Sequence, residues 1–465
     1  MTRTRFAITP EHKMDIEDLR NALFAYLIAK KEGGEFLLRV DDANQNLYNL
    51  EAEESIYSTL NTFGLVYDEG PKKEVENTPY IQSERLDIYK TYAEKLIKRG
   101  KAYYCFCTKE ELNRKRLEAS EAKTSYMYDG TCRNFPRDEA RRKILIEEKY
   151  VIREAFPKEG QTTFHDLVYG DVTTQNACIE DQILMKSDGT PTYNFASVLD
   201  DALFNITHVT RSSKFLTSTP KYLLLYEALG FPTPAFIHIP RIMINTNDTL
   251  TDLLEQGFLK EAILNYIVLL GWNPKSTKEF FTMEELVREF KIENISKRPS
   301  HFDIQKLKWF NRHYMKEMTD SEYVDFTRPY LEKFYNVEGQ GEDWINHLLL
   351  LYKNRLNFAS EIALTAHMFF TREIELEEEC VAFLKSDASI ENTLRIFKSE
   401  VESTNTWNLE IVQEILSRVQ ITSGATGKLL YMPIRIATTG IMCGPNLVDC
   451  LYLLGCETIL ERMGE

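Results

Sequence analysis

The sequence predicts an α/β fold joined to an all-α one, with an insertion splitting the α/β part. Two observations predict the α/β part. Residues 5–40 read as strand, tight connection, amphipathic helix, glycine stop and strand, and "LEAEESIYSTLNTFG" then adds a further helix. Alternation of this kind builds a parallel sheet with helical crossovers. The third observation separates the halves. Beyond about residue 320, strand-like runs give way to helical patterning such as "DWINHLLLLYKNRLNFASEIAL". At 465 residues and 43% hydrophobic composition, the chain has material for several cores.

The elements follow in order. Arg5 to Thr9 is the first strand. The next helix carries Ile16, Leu19, Leu23 and Leu27, a spacing that gives one buried stripe. Gly33-Gly34 stops it before the strand Glu35 to Val40. From residue 101 the texture changes: "KAYYCFCTKEEL" through "YVIREAFPKEGQTTFHDLVYGDVTTQ" mixes short strands, charged helices and turns, as an insertion does. Buried-strand character returns with "DQILMKSDGTPTYNFASVLDD" and "ITHVTRSSKFLTSTPKYLLLYEALG". The expected domains are 1–100 and 186–240 (halves of one split α/β domain), 101–185 (the insertion), 241–320 (a connecting region) and 321–465 (the helical part). No internal repeat or low-complexity segment occurs.

Composition narrows the function. "MTRTRFAITP" has no apolar signal core, and no apolar run of about 18 residues predicts a membrane span. Eight scattered cysteines suit a reducing, cytoplasmic location. A net charge of −15 argues against a general nucleic-acid coat, while leaving room for a local basic groove. There is no Gly-x-Gly-x-x-Gly, Walker loop, Gly-x-Ser-x-Gly or His-Glu-x-x-His. The opening strand and helix are a nucleotide-binding arrangement, yet the helix begins Asp15, Ile16, Glu17, Asp18. A helix N-terminus favours anions. Carboxylates there help start the helix, by roughly 0.3–1 kcal/mol each, and repel phosphate.

Taken together, "RFAITP…LRNALFAYLIAKKEGGEFLLRVDD", "GLVYDEGP", "YIQSERLDIYKTYAEKLIKRGKAYYCFCTKEEL", "TTFHDLVYGDV", "DQILMKSDGTPTYNFASVLDD" and "GFLKEAILNYIVLLGWNP" resemble bacterial glutamyl-tRNA synthetase. "LLYMPIRIATTG" and "LGCETILERM" resemble the end of its anticodon-binding region. The match keeps block order along nearly the whole chain. The resemblance implies a class I synthetase-like Rossmann catalytic domain with an α+β acceptor-binding-like insertion. A stem-contact region and a helical anticodon-binding-like domain would follow. It also implies a family chemistry, in which ATP activates glutamate and the product is passed to tRNA.

Both ATP signatures of that family depart from its pattern. The His-Ile-Gly-His-like tetrad, preceded in the family by Pro-Ser-Pro-Thr-Gly, is here Asp15-Ile16-Glu17-Asp18 after Ile8-Thr9-Pro10-Glu11-His12. The lysine-rich Lys-Leu-Ser-Lys-Arg loop should follow "HIPRIMIN", but Asn245 to Asp252 holds no Lys or Arg and the segment is shorter than in the family. ATP binding is therefore not expected. His12, Lys13 and Lys214 are the replacements available for handling phosphates. The family's Arg-Ile-Glu-Asp-Thr-Asp-x-x-Arg stands here as Arg39-Val40-Asp41-Asp42-Ala43-Asn44-Gln45-Asn46-Leu47, which puts seating of the tRNA terminus in doubt.

The amino-acid side of the site is better kept. The resemblance implies a vestigial pocket at Arg5, Thr9, Asp41, Tyr193, Asn194 and Arg211, with Arg211 meeting a substrate carboxylate and Asp41 an amino group. Arg5 and Arg211 equally suit pairing with internal carboxylates. Asp200-Asp201 match a family scaffold turn, and His165 and His208 are expected as hydrogen-bonded scaffold. Cys105-x-Cys107 with Tyr128-x-x-x-Cys132 is a candidate zinc set, matching the position where several family members hold zinc. The same four also read as reduced cysteines and a tyrosine in a small core. Cys178, Cys380, Cys443, Cys450 and Cys456 lack ligand spacing and are expected to be buried.

From Ser321 onward, 12 basic residues face 22 acidic ones, so weak tRNA binding is expected, with Lys428 and Arg435 as candidate contacts. The leading expectation is a pseudo-synthetase that has lost ATP-dependent glutamate activation. It would act by binding tRNA, aminoacyl-tRNA, a glutamate-like ligand or a protein partner. The alternatives are a still-active glutamate–tRNA ligase, an ATP-independent transferase using aminoacyl-tRNA, and a protein-interaction regulator of a true synthetase.

Overall fold

The computed structural model describes residues 1–73, 79–245 and 248–464. These form two units: residues 1–250 with 264–303, and residues 251–263 with 304–465. Thr246 and Asn247, in the segment read as shortened, lie outside the described residues.

The first unit is built on a six-stranded sheet. Its nine main strands are β1 (Arg3–Ile8), β2 (Glu35–Val40), β3 (Ala102–Cys105), β4 (Val151–Glu154), β5 (Gln161–Asp166), β6 (Gly170–Gln175), β7 (Ile183–Met185), β8 (His208–Ser212) and β9 (Ala235–Ile239). The helices between them are α1 (Ile16–Lys31), α2 (Leu50–Thr62), α3 (Leu86–Lys98), α4 (Lys109–Glu121), α5 (Arg137–Leu145), α6 (Tyr193–Leu203) and α7 (Thr219–Leu229). The large sheet runs β2-β1-β8-β9-β5-β6. Every neighbouring pair in it is parallel except β5 and β6.

Local chemistry explains the opening. β1 begins at Arg3, two residues before the expected Arg5, because Arg3 already pairs in register with Glu35 of β2. β2 is buried from Phe36 to Val40, as a strand covered on both faces must be. Between them, α1 buries Ile16, Leu19, Leu23 and Leu27, the stripe read from the sequence. Gly33 turns the chain with φ +59°, and any side chain on Gly34 would collide with the backbone oxygen of Thr2. The parallel pairing therefore depends on a residue without a Cβ.

The 101–185 segment divides its strands between two sheets. β3, β4 and β7 form a small antiparallel sheet of their own, while the β5–β6 hairpin extends the large sheet beside β9. One core joins Tyr89 and Leu96 of α3, Phe195 and Leu199 of α6, and Leu225 and Tyr226 of α7. Asp200 and Asp201 do not form a turn. They sit inside α6, because Phe195, Val198 and Leu199 anchor that helix in the core and carry the two acids in with it.

The second unit is helical, as its periodicity predicts, with helices including Ile304–Glu317, Asp320–Glu332, Glu342–Leu351, Ser389–Glu402, Leu409–Ser423, Lys428–Thr439 and Leu447–Arg462. Two cores hold it, one around Tyr323, Leu348 and Ile362, the other around Phe397, Leu416 and Ile434. Cys380 and Cys450 are buried and Cys456 half-buried, but Cys178 and Cys443 are exposed, contrary to expectation. Cys178 ends a single 3-10 turn and Cys443 lies in the link after Gly440, so neither sits on an element with a core-facing side. No helix among the described residues is long and apolar enough to cross a membrane.

Candidate functional site

Strand order reverses at β1: its crossover through α1 leads to β2 on one side, while β8 lies on the other. In open parallel sheets, ligands bind in the crevice beyond the carboxyl ends of the strands at such a switch point. A cavity of about 350 Å³ opens there, lined by Ile8 and Thr9 from the end of β1, Arg211 and Ser212 from the end of β8, and the start of α1.

The cavity brings together most of the residues singled out from the sequence. Arg5, Thr9, Asp15, Glu17, Asp18, Tyr193 and Arg211 line it, with His12 and Lys214. Ile16 instead packs into the core, and Lys13, Asp41 and Asn194 are not part of the lining. Glu11, Asn21, Thr210, Ser212 and Arg241 also line it and were not singled out. Helix spacing would have found Asn21, which shares a face with Glu17 and Asp18. Strand alternation would have paired Ser212 with Thr210. Arg241 has no local signal.

The end of the cavity at the start of α1 is occupied by the protein's own acids. Asp15 is the N-cap of α1: its Oδ1 accepts from the Asp18 N–H at 2.8 Å, while Asp18 Oδ2 accepts from the Asp15 N–H at 3.3 Å. This reciprocal capping box satisfies two of the donors that a helix N-terminus leaves free. Burial, reinforced by the neighbouring Asp15 charge, pushes the Asp18 carboxyl up to about 7. Among exposed groups, His12 lies 4.0 Å from Asp15 Oδ2. Carboxylates at this end of the cavity favour cations over anions.

The opposite wall is cationic. Arg5 is committed internally: its Nε donates to Asp201 Oδ1 at 2.9 Å and its Nη1 to the Thr210 carbonyl at 3.0 Å. It belongs to a buried network in which Arg39 pairs with Asp41 at 2.6 Å and Asp201 at 2.6 Å, and Arg85 pairs with Asp200 at 2.8 Å. Burial opposes ionisation of Asp201, but Arg5 and Arg39 outweigh it and hold that carboxyl below its ordinary value. Three arginines against three aspartates leave this layer neutral. Asp41 is thus turned to Arg39 and away from the cavity.

Arg211 is different. Its Nε donates to His238 Nε2 at 3.1 Å, its Nη2 to Thr219 Oγ1 at 2.6 Å, and its guanidinium lies 4.2 Å from the centre of the Tyr222 ring. His238 Nδ1 meets Asp166 at 2.6 Å, and burial lowers the imidazole's pKa, so its Nε2 is free to accept. Among the described residues no carboxylate pairs with Arg211. Asn194 accepts from the Tyr222 hydroxyl at 2.7 Å and so steadies the ring beneath Arg211. Tyr193 stacks on Phe215 with ring centres 6.2 Å apart, forming an aromatic side to the cavity. An oriented guanidinium held by neutral partners is suited to a ligand carboxylate.

Away from this cavity, the β3–β4 sheet carries the cysteine cluster. The Sγ atoms of Cys105, Cys107 and Cys132 lie within 4.8 Å of one another. The Tyr128 hydroxyl is 3.3 Å from Cys105 Sγ and 3.7 Å from Cys107 Sγ, and Cys107 and Cys132 are 3.5 Å apart. Tetrahedral zinc, with Zn–S bonds of about 2.3 Å and Zn–O of about 2.0 Å, separates two sulfurs by about 3.8 Å and sulfur from oxygen by about 3.5 Å. The two Tyr128 contacts and the Cys107–Cys132 separation lie within about 0.3 Å of those values. The Cys105 thiol is pulled down to about 4, chiefly by the Cys132 thiol and, against burial, by Tyr128 and Arg153. Arg153 Nε donates to Cys105 Sγ at 3.4 Å, a contact that favours thiolate.

In the helical unit, Lys428 is exposed with its ammonium 5.1 Å from the Phe383 ring centre, and Arg435 Nη2 donates to the Pro445 carbonyl at 2.8 Å.

A Rossmann-like parallel sheet with a split second half and a switch-point cavity, continued by a helical unit, defines a class I aminoacyl-tRNA synthetase fold. Residues 1–309 match the family model of the class I tRNA synthetases (E and Q), catalytic domain, and residues 322–465 match the anticodon binding domain. The chain belongs to the glutamate–tRNA ligase family. It is 42% identical to glutamate–tRNA ligase of Clostridium kluyveri over 478 residues, covering 99% of this chain and 96% of that one. It is 40% identical to the Clostridium botulinum enzyme, covering 99% and 97%. The crystal structure of a glutamate–tRNA ligase from Elizabethkingia meningosepticum in complex with its amino acid superposes with a TM-score of 0.90 at 29% identity, covering 99% of this chain and 98% of that one.

Proposed function

We propose that this protein is a glutamyl-tRNA synthetase-like binding protein that holds a glutamate-like amino acid and tRNA but does not activate the amino acid with ATP. The carrying observation is the Asp15–Asp18 capping box. A helix end that would receive phosphate is closed by its own carboxylates, and Glu17 adds a third beside them. Losing one preorganised charge stabiliser costs about 10²–10³ in rate. Here the lysine-rich loop is missing from the sequence as well. Arg211, free of any carboxylate partner among the described residues, supports retention of an amino acid through its carboxylate.

Within this reading, residues 101–185 serve as the acceptor-binding-like insertion, with zinc held by Cys105, Cys107, Tyr128 and Cys132. Residues 241–320 form the stem-contact region, and residues 321–465 read the anticodon. Zinc supplies a structural brace there, fixing the β3–β4 edge to the 128–132 segment, which has little apolar core of its own.

A second reading, a still-active glutamate–tRNA ligase, is favoured by the identity with such ligases along the whole chain and by His12 and Lys214 in the cavity lining. In it, those two side chains would meet the phosphates. Amino-acid-dependent ATP–pyrophosphate exchange, run with all twenty amino acids with and without glutamate tRNA, separates the two. Absence of exchange together with glutamate binding is the expected result. Exchange well above background would overturn the binding-protein reading.

A further inference from the structure

A cavity of about 830 Å³ between the end of α3, the β3 strand and α5 carries a local excess of positive charge. Six cationic side chains line it: Lys98, Arg99, Lys101, Arg133, Arg137 and Arg141. One carboxylate, Glu94, faces them. The whole chain has the opposite balance, with 56 basic and 71 acidic residues, so this local excess is not a sample of the average surface.

Two of the six are occupied. Arg133 pairs with Asp181 at 3.0 Å, and Arg99 donates to the Leu229 carbonyl at 3.1 Å. The side chains of Lys98, Lys101, Arg137 and Arg141 make no hydrogen bond or ion pair among the described residues. Mutual repulsion of clustered like charges is unfavourable, and a bound anion relieves it. Half-buried Tyr104 and Phe135 give the lining flat aromatic surface.

We infer that this cavity is a binding site for a free nucleoside polyphosphate, with its phosphates against Lys98, Lys101, Arg137 and Arg141 and its ring on the aromatic lining. The volume lies in the range of small-ligand pockets, roughly 300–1,000 Å³. Arginine forks and lysine point charges are both phosphate ligands. The site is separate from the Asp15–Asp18 cavity and does not depend on whether that cavity accepts ATP.

The test is calorimetric titration of the full-length, metal-replete protein with ATP and with AMP at two salt concentrations. ATP is expected to bind more tightly than AMP and to weaken as salt rises. The double variant Arg137→Glu/Arg141→Glu is expected to weaken ATP by about tenfold or more, the loss of one or two charge-assisted contacts. Arg114→Glu, a single charge reversal on exposed α4, serves as control and is expected to bind ATP normally. Circular dichroism checks that both variants fold. ATP affinity unchanged in the double variant, or lost equally in the Arg114 variant, would overturn the inference. So would binding of tRNA that depends on Arg137 and Arg141 with no binding of ATP.

Discussion

Asp15 and Asp18 cap one another: each carboxylate accepts the other's backbone N–H, at 2.8 and 3.3 Å, and the first turn of α1 closes on itself. The arrangement carries an electrostatic cost. Burial and the Asp15 charge raise the Asp18 carboxyl from 3.8 to about 7. Below pH 3.8 both folded and unfolded chains are protonated there and no penalty exists. As pH rises through about 7, the folded chain must ionise a sheltered group that the unfolded chain ionised earlier, and the penalty is then complete. Asp18→Asn keeps an oxygen to accept from Asp15 and removes the ionisation. The variant should therefore gain melting temperature over the parent progressively from pH 4 to 8. An equal offset at every pH would refute the assignment.

Arg211 predicts a binding effect with little effect on stability. Arg211→Ala should weaken glutamate binding by about 10–100-fold, the range for a hydrogen bond to a charged group. Arg211→Lys should fail to rescue it, because an ammonium cannot hold His238 and Thr219 while presenting a fork to the ligand. Melting temperatures should stay close to the parent, since no internal carboxylate is left unpaired. Calorimetry with glutamate reads the first outcome and a thermal melt the second.

The buried arginine–aspartate layer gives the opposite pattern. Asp200 takes Arg85 at 2.8 Å, the Tyr89 hydroxyl at 2.8 Å and Gln82 at 2.9 Å, all out of contact with water. Arg85→Ala leaves that carboxylate with only Arg39, 3.9 Å away, and should cost at most about 3–5 kcal/mol. Arg85→Ala/Asp200→Ala should be less destabilised than Arg85→Ala alone, because removing both charges leaves nothing uncompensated. Urea denaturation of the three proteins measures it. A double variant weaker than the sum of both singles would contradict the account.

Much of this was legible in the sequence where the signal is local. The stripe Ile16, Leu19, Leu23, Leu27 fixes the buried face of α1, and acids at Asp15 and Asp18 have the spacing of a capping box. Two things were not legible. Side chains far apart in sequence choose partners that no window contains: Arg39 reaches Asp201, 162 positions away, and Arg5 reaches the same acid from the neighbouring strand. Asp41, implied by resemblance to face a ligand, lies just past the end of β2, two residues on from Arg39, and is taken by it. The resemblance also placed Asp200 and Asp201 in a scaffold turn, whereas they lie inside α6 and are neutralised there by Arg5, Arg39 and Arg85.

The cysteine cluster makes the last prediction. Three sulfurs and one phenol at 3.3–3.7 Å contacts form either a set of reduced side chains or a metal cage. The surrounding apolar core is small, Tyr103 and the cluster itself with Leu112, Val151 and Ala155 packed against it, so the segment around Tyr128 has few other apolar anchors. With zinc, the protein as purified should carry the metal stoichiometrically by elemental analysis. Cys107→Ser and Cys132→Ser should each lose it and expose the amides of residues 128–135 to hydrogen exchange, while amides of β1 and α1 stay protected. Tyr128→Phe should release zinc to a chelator faster than the parent. Those outcomes require a metal, because a merely packed cluster would lose no zinc and would show no difference between chelated and untreated protein.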